Sequence, residues 1–178
     1  MAVIFVCGVH GVGKTTFCQK LAKELKVPHF SASELIQETS KLVIPDSVGN
    51  KRVKNIERNQ AILLEAVRKK VEALNRIILD DHTTIIDQAG QYQILPENLF
   101  QRLGITEIVL LEGPANEIQR RLLLRDGVCP DVEFIREHQI LEKKHAMHLA
   151  DIMNVPFYNL NGCEGELYEI IEKFIKIN

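Results

Sequence analysis

The chain has 178 residues, a formal net charge of −2, and 26% charged against 46% hydrophobic residues. That length suits one domain with its own core, and the near-neutral balance gives no general electrostatic basis for nucleic-acid binding. No apolar run approaches the ~20 residues of a membrane helix. The first apolar run, Val3 to Cys7, reads as a buried strand. It leads into Gly8-Val9-His10-Gly11-Val12-Gly13-Lys14-Thr15, which matches the phosphate-loop pattern G-x-x-x-x-G-K-[ST] at every fixed position. Phe17, Leu21 and Leu25 follow at helical spacing. Strand, glycine loop and helix are what phosphate binding needs. Glycines let successive N–H groups turn inward, and the helix N-terminus adds partial positive charge. The loop from Gly8 to Thr16 is therefore the expected ATP site. Lys14 would reach the terminal phosphates, and the Thr15 hydroxyl would hold Mg²⁺.

Val27 to Ser31 reads as a short second strand, with Ser31 or Ser33 capping the helix that follows. Residues 42–50, with Pro45, Gly49 and Asn50, read as a loop. A long amphipathic helix comes next. Val53, Ile56, Leu63, Val67, Val71 and Leu74 form its apolar face, and Lys51, Arg52, Lys54, Arg58, Arg68, Lys69 and Lys70 its basic face. Arg76 to Asp80 is the third strand, residues 86–96 read mainly as a loop, and Glu107 to Glu112 is the fourth strand. Pro114 suits the first turn of a helix reaching about Leu124. A second long helix spans about Val132 to Met153. A fifth strand covers Pro156 to Leu160, and a final helix places Leu167, Ile170, Ile171 and Phe174 together.

Five apolar strands alternating with helices imply an α/β, three-layer P-loop NTPase fold. Its five-stranded parallel sheet is covered by helices on both faces and forms a single domain over residues 1–178. Ligands bind such sheets at the carboxyl ends of the strands, so the phosphate loop, Ser31, Asp80, Gly113 and Asn161 should share one edge. Asn161 joins the expected nucleotide site on that ground. No two of Cys7, Cys18, Cys129 and Cys163 stand at C-x-x-C spacing. Unpaired thiols and the absence of a signal peptide suggest a cytoplasmic protein.

Asp80 ends a strand beside the phosphate loop, where a carboxylate holds Mg²⁺ through water, with Asp81 the second candidate. His82 is a candidate substrate contact. Arg125 and Arg136 flank the segment 125–131 and are the candidate cations for charge on the transferred phosphoryl group. Arg120 and Arg121 are adjacent and point about 100° apart, so the two cannot serve one ligand together.

The phosphate loop, Ser31-Ala32-Ser33, Asp80-Asp81-His82 and Arg125-Asp126 resemble a small nucleoside monophosphate kinase, with the pattern of archaeal-type adenylate kinases. In those, a D-x-H strand end matches Asp80 to His82, an EHQ signature matches Glu137-His138-Gln139, and an asparagine turn matches Tyr158 to Gly162. The resemblance implies an acceptor-binding segment at about 31–59, with Ser33, Arg52 and Arg58 as candidate contacts, of which Arg52 and Arg58, six apart on different helix faces, can supply at most one, and a short lid at about 125–131. It implies AMP as acceptor, and a backbone N–H as the contribution of His10. The family carries several arginines in its lid, whereas here the lid is Gly127-Val128-Cys129-Pro130-Asp131. Two other readings stay open, the first on that ground and the second because it would use the same donor site. One is a P-loop ATPase acting as a switch or protein-partner module, and the other a kinase of a different small acceptor.

Overall fold

In the computed structural model of the chain, residues 2–43, 56–87, 89–161, 169–170, 172 and 174 are described. The core sheet has five strands: β1 (Ala2–Cys7), β2 (His29–Ser31), β3 (Arg76–Asp80), β6 (Ile105–Leu111) and β7 (Phe157–Leu160). Their order is β2-β3-β1-β6-β7, with every pairing parallel. The expected five-stranded parallel sheet is present.

Both faces of the sheet are buried because its strands alternate apolar side chains toward two separate cores. Val3, Phe5 and Cys7 of β1 and Ile77 and Leu79 of β3 meet α2 (Ala32–Val43), α3 (Ile56–Leu74) and the C-terminal half of α6 (Val132–Met153). Ile4, Val6 and Ile78 point the other way. They meet Cys18 and Leu21 of α1 (Lys14–Leu25), Ile118 of α5 (Ala115–Asp126), and Ile170 and Phe174. Leu74, expected on the apolar face of α3, is exposed where that helix ends.

Helix boundaries follow local chemistry. The Asp131 carboxylate caps α6 by accepting from Glu133 N at 2.7 Å, and Asn154 ends it in a left-handed conformation. Gly127 ends α5 in the same way, so Arg125 sits in the last helical turn.

Residues 86–96 differ from the loop expected. Thr84–Ile86 (β4) and Tyr92–Ile94 (β5) pair as a two-stranded antiparallel hairpin, and Glu97–Arg102 forms a short helix, α4. Asp87 sets the turn by accepting from Ala89 N at 2.8 Å and Gln91 N at 2.9 Å. The hairpin leans on α6, with Tyr92 stacked on Phe134 and its hydroxyl donating to Phe134 O at 2.9 Å. Three-residue strands are too short to show a period, and α4 completes fewer than two turns. Tertiary contact with α6 creates the hairpin's environment.

The chain order reverses between β3 and β1. Connections from these neighbouring strands leave in opposite directions, which opens a crevice beyond their carboxyl ends. The glycine loop after β1 and Asp80 at the end of β3 face each other across it.

Candidate active site

The loop begins where no side chain fits. Gly8 has φ 142°, and a Cβ there would lie 2.5 Å from Leu111 O. Gly13 turns the chain into α1 at φ 110°. Val9 and Val12 are buried in the core beneath the loop, while His10 and Thr16 are exposed. Lys14, the first residue of α1, is buried. Its Nζ donates to Gly8 O at 2.7 Å and Val9 O at 3.3 Å, and lies 3.4 Å from His82 Nδ1. Burial lowers the Lys14 pKa, while the nearby acids Asp80, Glu142 and Asp81 pull it back up. Burial, with Lys14 and His10 nearby, pushes His82 well below the usual histidine range. A neutral imidazole keeps one acceptor nitrogen for the Lys14 ammonium. The His10 ring packs on that of His82 at 4.1 Å.

Thr15 Oγ1 donates to Asp80 Oδ2 at 2.9 Å, joining the start of α1 to the end of β3. Burial acts to raise the Asp80 pKa. His29, Lys14 and Thr15 outweigh it, so the carboxylate is held below its usual range. Two hard oxygens, one of them anionic, suit Mg²⁺. Asp81 behaves differently. Burial lifts its carboxyl to about 7, against the His82 N–H bond and Lys14. An acid raised above its unfolded value of about 3.9 stabilises the fold fully below about pH 4, and that stabilisation is lost as pH rises through about 7. Asp81→Asn should therefore raise the melting temperature more at pH 8 than at pH 5. An equal shift at both values would show that Asp81 does not titrate near neutrality.

A buried acid absent from the sequence expectations organises the rear of the site. Glu142 of α6 accepts from Gly8 N at 3.2 Å, Thr83 N at 2.8 Å and Thr84 N at 2.8 Å, and from the Thr84 hydroxyl. One turn earlier, His138 Nε2 lies 3.0 Å from Thr84 Oγ1, and Gln139 Oε1 accepts from Gly113 N at 3.0 Å. The signal was present in sequence. Ile135, His138, Glu142, His145 and Leu149 recur at helical spacing on the buried face of α6.

The structure brings Arg121 to the phosphate loop, where its Nη1 donates to Val12 O at 2.9 Å. Arg125 and Arg136 are exposed. Arg125 Nη2 pairs with Asp126 at 2.6 Å, and Arg136 Nη1 with Glu133 at 2.9 Å. Arg121→Ala should lower turnover about 10²-fold, the usual loss for a removed transition-state donor, and Arg125→Ala or Arg136→Ala by much less. Kinetics on the three variants check this. A larger loss for Arg125 would mean that the segment moves to deliver it. Ser33 meets Ser31 at 2.9 Å between their hydroxyls, on the β2 side of the crevice. Asn161 follows β7 at the same sheet edge and is exposed. Arg52 lies outside the described residues, as does Cys163.

A parallel sheet with this strand order, carrying a glycine–lysine loop at its point of reversal, is the scaffold of P-loop phosphotransferases, and this chain is one of them. Residues 7–133, more than half of the chain, match the AAA domain family, to which the chain belongs. The adenylate kinase of Methanopyrus kandleri is 26% identical over 183 residues, covering 98% of this chain and 96% of that protein. The adenylate kinase of Pyrococcus abyssi is 29% identical over 192 residues, covering 98% and 97%. Shikimate kinase 2 of Photorhabdus laumondii is 25% identical over 165 residues, covering 85% and 95%. Among solved structures, a shikimate kinase from Bacteroides thetaiotaomicron shares the fold with a TM-score of 0.57 at 16% identity, covering 99% of this chain and 97% of that one. Among the described residues, no helix is long and apolar enough to cross a membrane.

Proposed function

We propose that the chain transfers the γ-phosphoryl group of ATP to a nucleoside monophosphate, with AMP the first acceptor to test, and that it does so in the cytoplasm. The supporting observation is a convergence: His82 of the D-x-H strand end and His138 and Gln139 of the EHQ helix all reach the rim of the phosphate loop or its neighbouring turns. Those segments carry the resemblance to archaeal-type adenylate kinases, and relatives named adenylate kinase span nearly the whole chain.

In this reading the loop N–H groups from Gly8 to Thr16 hold the donor phosphates, and Lys14 swings from the Gly8 carbonyl to the β- and γ-phosphates. Thr15 directly, and Asp80 through water, would hold Mg²⁺, which supplies charge neutralisation on the phosphate oxygens. Arg121, Arg125 and Arg136 are the cations available to the transferred group. Asn161 lies at the donor edge, and Ser33, Arg52 and His82 are assigned to the acceptor. The acceptor segment is 31–59 and the lid 125–131. The acceptor phosphate oxygen forms a bond to γ-phosphorus as the bond to the β-phosphate oxygen breaks, giving two nucleoside diphosphates. A monophosphate oxygen is already anionic at neutral pH, so no base is needed and positioning does most of the work.

One observation favours an ATPase switch instead. Residues 127–131 contain no arginine, and Arg125 is paired with Asp126. A coupled ADP-release assay with ATP-Mg²⁺ and a panel of AMP, other monophosphates and hydroxyl acceptors separates the readings. AMP-dependent turnover is expected. Acceptor-independent turnover would establish the ATPase, and turnover with a hydroxyl acceptor alone would establish a different kinase.

A further inference from the structure

Beneath the phosphate loop, two donor side chains that phosphoryl transfer leaves idle stand beside the Asp80 carboxylate that it uses. Cys18 sits one turn beyond Thr15 on α1, buried against the sheet. His29 opens β2, the strand paired with β3, and its ring lies beside Asp80. The Cys18 sulfur, a ring nitrogen of His29 and a carboxylate oxygen of Asp80 all lie within 4.8 Å of one another. A second observation bears on the same place. His29 Nε2 is buried without a well-formed hydrogen bond, and Asp80 Oδ2, 3.4 Å away, is its ion-pair neighbour. Buried polar atoms nearly always have a partner, so this nitrogen is short of one.

We propose that Cys18, His29 and Asp80 bind one soft divalent transition-metal ion of the Zn²⁺ or Co²⁺ class, at a position separate from that of Mg²⁺. Sulfur, imidazole and carboxylate together are a zinc-type donor set, whereas Mg²⁺ takes oxygens. Bond lengths of about 2.0–2.3 Å place tetrahedral ligands about 3.5 Å apart, so donors that lie within 4.8 Å of one another must draw in to hold the ion. As the metal–sulfur bond forms, the thiol proton leaves to solvent. The metal keeps its oxidation state, and a fourth position stays open to water. Three protein ligands with one open position is the arrangement of reactive or exchangeable sites, not of closed structural ones. A further consequence rests on the magnesium role proposed for Asp80: occupancy by Zn²⁺ would draw that carboxylate from Thr15 and raise the Mg²⁺ needed for turnover. Binding of the soft metal itself does not depend on the kinase reading.

The competing account is that Cys18 is a small apolar core residue and His29 a neighbour of Asp80. Cobalt titration decides between them. The probe is Co²⁺ added to full-length, nucleotide-free protein carrying Cys129→Ser and Cys163→Ser, so that only the buried thiols remain. One equivalent should produce a thiolate-to-cobalt absorption band in the near ultraviolet, bleached by Zn²⁺ and untouched by Mg²⁺. Cys18→Ala should abolish the band, and His29→Gln should weaken Co²⁺ binding at least tenfold with the melting temperature little changed. Absence of a saturable band, or a band that survives Cys18→Ala, would overturn the site. If Cys18→Ala does not fold, an unchanged Co²⁺ affinity in His29→Gln overturns it alone. Because no nucleotide is present, failure here is distinct from failure of the phosphotransferase reading.

Discussion

Lys14→Ala is expected to reduce phosphoryl transfer by about 10³-fold or more while the protein stays folded. A preorganised cation aimed at charge that develops in the transition state is worth several kcal/mol in a water-poor site. Lys14 becomes such a group once it swings from the Gly8 carbonyl to the phosphates, since its Nζ starts at the base of the loop beside Asp80, Asp81 and His82. The same geometry limits the effect on stability. The amine's hydrogen bonds go to Gly8 O and Val9 O, and water entering the crevice can replace a donor to those carbonyls. Removing the lysine also ends the penalty of burying its charge. The melting temperature should therefore move by only a few degrees, and turnover should collapse. The measurement is steady-state turnover alongside thermal unfolding. A variant within tenfold of wild type would show that the phosphates bind elsewhere.

Glu142→Ala is expected to have the largest effect on stability, a loss on the order of 4 kcal/mol. Its fully buried carboxylate accepts from three backbone N–H groups, those of Gly8, Thr83 and Thr84. Alanine leaves all three without a partner, each costing about 1–3 kcal/mol, partly offset by local relaxation and water. Against a typical total of about 5–15 kcal/mol, that is a large share. The loop should also loosen, because Gly8 N is its first tether, so nucleotide affinity should fall together with stability. Glu142→Gln should recover part of the loss, since one amide oxygen still accepts while the NH₂ end faces donors. Denaturant unfolding of the three proteins checks the order. A loss below about 1 kcal/mol for the alanine variant would mean that the tethers are dispensable.

The central strands β1, β3 and β6 were legible as apolar runs, because a strand buried on both faces is apolar almost throughout, while the part-buried β2 and β7 were read from shorter stretches beside proline. The phosphate loop was legible for a different reason. Its function depends on backbone shape, so the glycines that permit the shape appear in the sequence itself, as at Gly8, where any Cβ meets Leu111 O. Asp80 could be placed beside the loop because strand ends in a parallel sheet share one edge.

The hairpin at Thr84–Ile94 and the helix at Glu97–Arg102 were not legible, because elements this short draw their stability from what they lean on. Much of the site was decided in the same way. Arg120 and Arg121 are equivalent by composition, and only the packing of α5 against the loop sends Arg121 to Val12 O. Arg125, expected at a helix-to-loop junction, stands in the last turn of α5 with Asp126 as its ion-pair partner, a pairing that packing and not spacing reveals. Glu142 stands 134 residues from Gly8, and His29 and Cys18 converge on Asp80 from two other elements.

What the sequence by itself determined was therefore the chemistry that lives in a single stretch of backbone: the glycine–lysine loop, the strand that feeds it and the helix that follows. Which further acids, histidines and arginines join Asp80 and His82 around that loop was decided by tertiary structure. Such neighbours are selected by distance across the crevice, and distance between remote residues exists only once the sheet has assembled and its helices have packed.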